Sequence, residues 1–276
     1  MDIRYKTLSS QSAAVVKHFT DINKPAFTLR EAIALLLNAS SIDAVKKLMR
    51  DMVKRGLLLR LKDGVYWIIP YEQDAETYFP NWHLIPKYLV GNLEYYIGYY
   101  SALEIHSLIT QPALREQVVV NRQIKPSSMK IKGYNFQFIF HNPKHFFGFK
   151  NIWIDSFNKV PCSDLEKTFV DCLYKPDYAN GISEISKALF KSKEKIDFEI
   201  LFDYCKRFKA QSVAKRLGFL LEILQIDNPI LDKLQQIKTQ SFILLEPSYE
   251  KKGKLISKWS IQQNIETSDI TSSIFT

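Results

Sequence analysis

Residues 41–69 read SIDAVKKLMRDMVKRGLLLRLKDGVYWII, a run that few folds accommodate. At about 100° per residue, Ile42, Val45, Leu48, Met49, Met52 and Val53 share one side of a helix, the side expected to face a core. Lys46, Lys47, Arg50 and Lys54 fall on the opposite side, within an arc of about 100°. Asp43 shares that arc but sits in the first turn, where the helix dipole favours an acid. Gly56 stands where a left-handed residue ends a helix. LLLRL and VYWII then flank Asp63-Gly64, which predicts a hairpin stopped by Pro70.

Two further helices precede this unit. Val15, Val16 and Phe19 make an apolar stripe over Ser10 to Asp21. Pro25 breaks the chain. Thr28 is placed to cap a second helix running through Leu37, with Glu31 completing a capping box. The turn NASS follows, and Ser40 or Ser41 caps the third helix. Three short helices and a terminal hairpin in ~70 residues describe a winged helix-turn-helix. The expected fold class is therefore α+β. An N-terminal winged helix-turn-helix domain spans residues 1–70, residues 71–94 form a connector with one helix, and a larger mixed α+β domain spans 95–276.

In that second domain the pattern predicts a helix from Tyr95 to Ile109. Strands are expected at Glu116–Ile124, Tyr134–His141 and Asn151–Val160, which alternate or are rich in aromatics. A helix capped by Ser163, with Glu166 as its capping-box partner, opens a helical block. Further helices are expected at Ile182–Phe190, Phe198–Phe208 and Ser212–Leu224. Late strands at Phe242–Leu245 and Leu255–Ile261 precede a polar tail. No internal repeat is evident.

Charge is concentrated where the third helix lies. The chain of 276 residues has a formal net charge of +9, and residues 1–70 hold 12 Lys/Arg against 6 Asp/Glu. That excess fits a polyanionic partner. A row of cations displaces the counterions condensed on a phosphate backbone, and their release supplies affinity. Candidate DNA contacts are Ser41, Lys46, Lys47, Arg50 and Lys54 on the helix, with Arg60 and Lys62 beside the hairpin tip. Arg50 can fork onto a guanine edge, whereas lysines mainly position the duplex. The alternative is an ordinary solvated helix face.

Signals for chemistry are sparse. Cys162, Cys172 and Cys205 form no CxxC pair, which suits reduced thiols in a cytoplasmic protein and argues against zinc and disulfides. The first residues contain no apolar segment of a secretory signal, and no apolar run has membrane length. His141 and His145 flank Pro143, so they share no helix face and are expected to be exposed loop histidines rather than metal ligands. Asp164, Glu166, Lys167 and Asp171 could supply a nuclease, but two of them sit in a first helical turn, where acids are stabilised anyway. Leu165, Phe169 and Cys172 are expected to form that helix's buried stripe, and Asp171 is a candidate buried partner for a base. KHFFGFKNIWIDSF mixes bases with aromatics, as a stacking surface for single-stranded RNA or as plain core. Val213, Leu217, Leu220, Leu221 and Leu224 give a later helix an apolar side, with Lys215 and Arg216 projecting elsewhere, to a partner or to solvent. No catalytic residue, metal ligand or cofactor site is expected.

The order GLLLRLKDGVYWIIP, YYIGYYSALEIHSLI, PCSDLEKTFVDCLYKPDYANGISEISKAL, SVAKRLGFLLEIL, over about residues 10 to 250, resembles the AbiEi antitoxins of bacterial type IV toxin–antitoxin systems, which act in phage abortive infection. The run of Glu-Lys-Thr, Asp-Cys-Leu and a later Arg-Leu-Gly carries more of the resemblance than the hairpin does. The resemblance implies a repressor of its own operon, bound to inverted repeats in double-stranded promoter DNA. It also implies a functional link to a nucleotidyltransferase-like toxin, which the antitoxin counters without needing a stable complex. It places DNA reading on the helix from Ser41 and the hairpin from Lys62 to Gly64, and antitoxicity on the second domain without naming residues there. Residues 268–276 carry no feature of the family. A ligand-responsive winged-helix regulator without a toxin, and a nuclease with a winged specificity domain, are the competing readings.

Overall fold

A computed structural model describes residues 6–109 and 111–271, and the chain divides into two compact units, residues 1–91 and 92–276. The architecture is mixed α+β. Among the described residues no helix is long and apolar enough to cross a membrane.

The first unit opens with α1 (Ser10–Asp21), at the span its apolar stripe predicts. Its cap is Ser9, in a reciprocal box with Ser12 that the sequence reading did not anticipate. A three-residue strand follows, β1 (Ala26–Thr28), also unanticipated. Thr28 then caps α2 (Leu29–Leu36) with Glu31 in a capping box. α3 (Ile42–Lys54) is capped by Ser41 rather than Ser40. Gly56 adopts φ +71°, and an added Cβ would meet that of Ala75 at 2.5 Å. Only glycine tolerates both conditions. The hairpin is β2 (Leu58–Lys62) and β3 (Val65–Ile68), turning at Gly64. β3 is central in an antiparallel sheet of order β1-β3-β2.

Val15, Phe19, Ala32, Val45, Met49 and Met52 bring the three helices onto Phe27, Leu57, Leu58 and Tyr66 of the sheet side. Phe19 and Phe27 stack at 4.2 Å. Ile42 is an exception to the expected core side: it lies at the solvent-facing start of α3, half exposed at 50%. Residues 71–91, read from sequence as part of a connector, fold with this unit. Trp67 Nε1 donates to the Tyr78 hydroxyl at 3.2 Å, and α4 (Pro86–Val90) packs near β2.

In the second unit the predicted helix from Tyr95 divides at Gly98. Tyr95–Ile97 is a strand, β4, paired antiparallel with Val118–Val120, and the helix α5 begins only at Tyr99 (Tyr99–Ile105). Aromatic and β-branched side chains on a pleated surface outweigh helical spacing here. β5 (Arg115–Val120) is followed by an unanticipated β6 (Ser128–Ile131) and by β7 (Tyr134–Phe140). The single strand expected at 151–160 is instead a hairpin of β8 (Phe149–Trp153) and β9 (Lys159–Ser163). Asp155 turns it by accepting from the backbone of Phe157 and Asn158, both at 2.8 Å. The six-stranded sheet has order β6-β7-β5-β4-β9-β8, with β5–β7 and β4–β9 parallel.

α6 (Leu165–Tyr174) follows β9. Its cap is Asp164, not Ser163: the Asp164 carboxylate accepts from Lys167 N at 2.8 Å, while Ser163 still belongs to the strand. α7 (Ile182–Ser192), α8 (Phe198–Phe208) and α9 (Gln211–Ile223) lie where periodicity places them, and α10 (Ile230–Ile237) adds to them. Three short strands close the unit as a second sheet: β10 (Ile243–Leu244), β11 (Lys254–Ile256) and β12 (Ile261–Gln263), with β12 central. The start of the expected polar tail forms α11 (Thr267–Thr271), and residues 272–276 lie outside the described residues.

Candidate functional site

Burial of Val45, Met49 and Met52 fixes how α3 is rotated, and this leaves its basic residues outward. Lys46, Lys47, Arg50 and Lys54 are all exposed. They differ in availability. Lys46 Nζ pairs with Asp43 at 3.2 Å, one turn back. Lys47, Arg50 and Lys54 form no ion pair among the described residues and project as three unneutralised cations. Ser41 spends its hydroxyl on the cap, accepting from Ala44 N at 3.3 Å.

The hairpin contributes less than the sequence reading expects. Arg60 is paired with Asp63, three residues on. Lys62 is half-buried, and its ammonium donates to the Leu89 carbonyl at 2.7 Å. Burial lowers its pKa. Its ammonium reaches α4 because residues 71–91 fold with this unit, a contact that no local pattern in the sequence encodes. The structure thus gathers Lys47, Arg50 and Lys54 on one face and commits Arg60 and Lys62 to contacts within the unit.

In the second unit the four residues that a nuclease would require do not converge. Asp164 caps α6 and also accepts from the Tyr204 hydroxyl at 2.8 Å. Glu166 accepts from Asp197 N at 2.9 Å. Lys167 and Asp171 form a fully buried ion pair. Around that pair is a closed polar cluster that sequence reasoning missed, apart from Asp171's candidate role. Lys167 Nζ donates to the Tyr96 hydroxyl at 2.9 Å, which donates to Asp171 Oδ2 at 2.9 Å. The ammonium also lies 5.2 Å from the ring centres of Tyr96, Phe147 and Phe208. Burial lowers the Lys167 pKa, opposed by Asp171.

His141 completes the cluster. Instead of an exposed loop residue it is buried, with Tyr96 Oη 3.1 Å from Nδ1 and Tyr99 Oη 2.8 Å from Nε2. Burial lowers its pKa to about 4, with Asp171 opposing, so the ring is neutral near pH 7. The proton count assigns its tautomer. The Tyr96 hydroxyl hydrogen is already engaged in its bond to Asp171, so Nδ1–H must donate to Tyr96, leaving Nε2 to accept from Tyr99. His145 is half-buried, bonded through Nε2 to the Phe208 carbonyl at 3.0 Å and stacked on the Phe208 ring at 3.7 Å. The aromatic run 144–157 is mostly core: Phe146 and Phe149 pack on the Tyr96 cluster, and only Trp153 and Phe157 stand out at the β8–β9 hairpin.

Lys215 and Arg216 also depart from expectation by being buried. Lys215 donates to the Thr239 hydroxyl at 3.0 Å. Arg216 spreads its guanidinium over backbone carbonyls of Leu173, Leu244 and Leu245, at 2.7, 2.9 and 3.0 Å. The outward cations of α3 are a candidate site that faces solvent with charge unspent.

No family model and no curated protein matches the chain. Among solved structures it is similar to the RV2827C protein from Mycobacterium tuberculosis, with a TM-score of 0.73 over 98% of this chain and 96% of that one, at 13% sequence identity. At that identity the likeness concerns the fold alone.

Proposed function

We propose that the first unit is a winged helix-turn-helix and that the protein is an AbiEi-type autorepressor and antitoxin, binding inverted repeats in its own promoter and countering a nucleotidyltransferase-like toxin in the cytoplasm. The observation that carries the DNA-binding part is the rotation of α3, which sets Lys47, Arg50 and Lys54 outward without acidic partners. From Ile42 to Lys54 the helix measures roughly 20 Å, a length that fits a major groove about 12 Å wide. The α2–α3 pair with a five-residue turn, followed by a hairpin, is the arrangement in which a second helix enters that groove. The antitoxin part rests on the sequence resemblance, and it assigns toxin neutralisation to the second unit.

Gel retardation with the protein's own upstream region tests the reading. Lys47→Glu, Arg50→Glu and Lys54→Glu together are expected to abolish retention while the melting temperature stays close to wild type. Retention at wild-type affinity by that variant sinks the proposal. A toxicity rescue assay with the adjacent gene addresses the antitoxin role separately.

A further inference from the structure

Strand register builds a polar ledge on one face of the six-stranded sheet. Lys130, Asn135 and Arg115 are cross-strand partners in one row over β6, β7 and β5. Ser128, Gln137 and Gln117 form the next row. Paired residues, and those two apart along a strand, point to the same face. One row further on, Ile139 and Val119 join the buried Tyr96 cluster. The face therefore grades from apolar core, through amides, to cations.

A groove of about 490 Å³ opens here, lined by Arg115 and Asn135 of the first row and by Ser128 and Gln137 of the second, and Lys130 flanks it as the cross-strand partner of Asn135. A recess of about 60 Å³, also bounded by Arg115, continues past Gln117 to Asp177 and Asn180. Its floor is held in place: the Gln117 side chain accepts from Tyr100 N at 2.9 Å and donates to the Tyr178 carbonyl at 2.9 Å and to Gln137 at 3.3 Å. Arg115 and Lys130 are exposed and form no ion pair among the described residues. Glu116 of β5 is buried and by alternation lies on the opposite face from Arg115 and Gln117, and residues 117–154 contain six Lys/Arg and no Asp/Glu.

We propose that this ledge binds a nucleoside phosphate. Arg115 and Lys130, two strand spacings or roughly 10 Å apart at the backbone, close on the phosphate oxygens from both sides. Asn135 and Gln137 between and beside them offer amide donors and acceptors to a base edge. Asp177 and Asn180 in the recess offer acceptors to sugar hydroxyls. The volume falls within the span of small-ligand sites, roughly 300–1,000 Å³. A nucleic-acid backbone would track an open surface and leave a recess unused. This site is independent of the α3 surface and stands whether or not the chain represses an operon.

Calorimetric titration of the full chain with the four ribonucleoside monophosphates, their nucleosides, inorganic phosphate and an eight-residue oligothymidylate tests it. At least one nucleoside phosphate is expected to bind one-to-one, with its nucleoside at least about tenfold weaker. Arg115→Gln and Lys130→Gln should each weaken binding by about tenfold, as loss of a charge-assisted contact does, with unchanged melting temperatures. No heat from any monophosphate overturns the proposal. So does equal binding by inorganic phosphate or nucleoside, an unaltered affinity in both variants, or tighter binding per site by the oligonucleotide. Promoter retention measured on the same samples keeps a failure here distinct from a failure of the DNA-binding reading.

Discussion

His141 is a neutral imidazole shut between two tyrosine hydroxyls, and its proton balance governs how the second unit responds to acid. In the unfolded chain it titrates near 6.5, and in the folded chain near 4. Between those values the unfolded state holds the extra proton, so stability falls as pH drops from about 6.5 to about 4. The loss amounts to ~3 kcal/mol in all. Burial also lowers the pKa values of His106 and His145, which adds to the same slope. His141→Gln can keep hydrogen bonds to both tyrosines but does not titrate. The gap between urea midpoints at pH 7 and pH 5 should therefore narrow in that variant, with His106 and His145 supplying what is left, and an undiminished pH dependence would remove His141 from the account. The Lys167–Asp171 pair gives a second test at this scale. Lys167→Met leaves a buried carboxylate uncompensated and is expected to cost about 3–5 kcal/mol. Adding Asp171→Leu should recover part of that loss. If the double variant is less stable than the single one, the pair is not the cause.

At the scale of elements, α9 depends on a residue with no side chain. An added Cβ at Gly218 would meet the Trp259 ring at 2.0 Å. Trp259 is fully buried and its indole N–H bonds Glu222 on the same helix. Gly218→Ala should therefore destabilise the unit by roughly 1–3 kcal/mol, as overpacking does, and thermal denaturation measures it directly. A wild-type melting temperature in that variant would mean that the indole moves aside freely. Periodicity made α1, α3, α7, α8 and α9 legible in the sequence, because each buries a stripe at helical spacing. Strands were less legible. β4 was absorbed into a helix, and β8 and β9 were read as one strand, because short aromatic runs satisfy either period. The outward side of α3 could be read from spacing alone. The engagement of Lys62 could not, since Leu89 is 27 residues away and only folding brings its carbonyl there. The cluster around His141 was hidden for the same reason: Tyr96 comes from β4, His141 from the residue after β7 and Asp171 from α6.

Over the whole molecule, charge is divided unevenly, and binding should report it. Each phosphate neutralised adds about −0.9 to the slope of log affinity against log salt. Removal of Lys47, Arg50 and Lys54 by alanine should therefore flatten that slope by about 3. Retardation at four salt concentrations is sufficient to measure it, and an unchanged slope would show that other cations meet the backbone. The second unit has its own global constraint in Arg216. Its guanidinium ties the end of α6 to the strand at Ile243–Leu244, with Leu173 and Leu244 as acceptors. A ribosome must therefore deliver residue 245 before that buried cation finds all its carbonyls. Until then a nascent chain carries an unsatisfied charge at the heart of its helical block, so premature termination just upstream should yield a product that proteases clear rather than a shortened working protein.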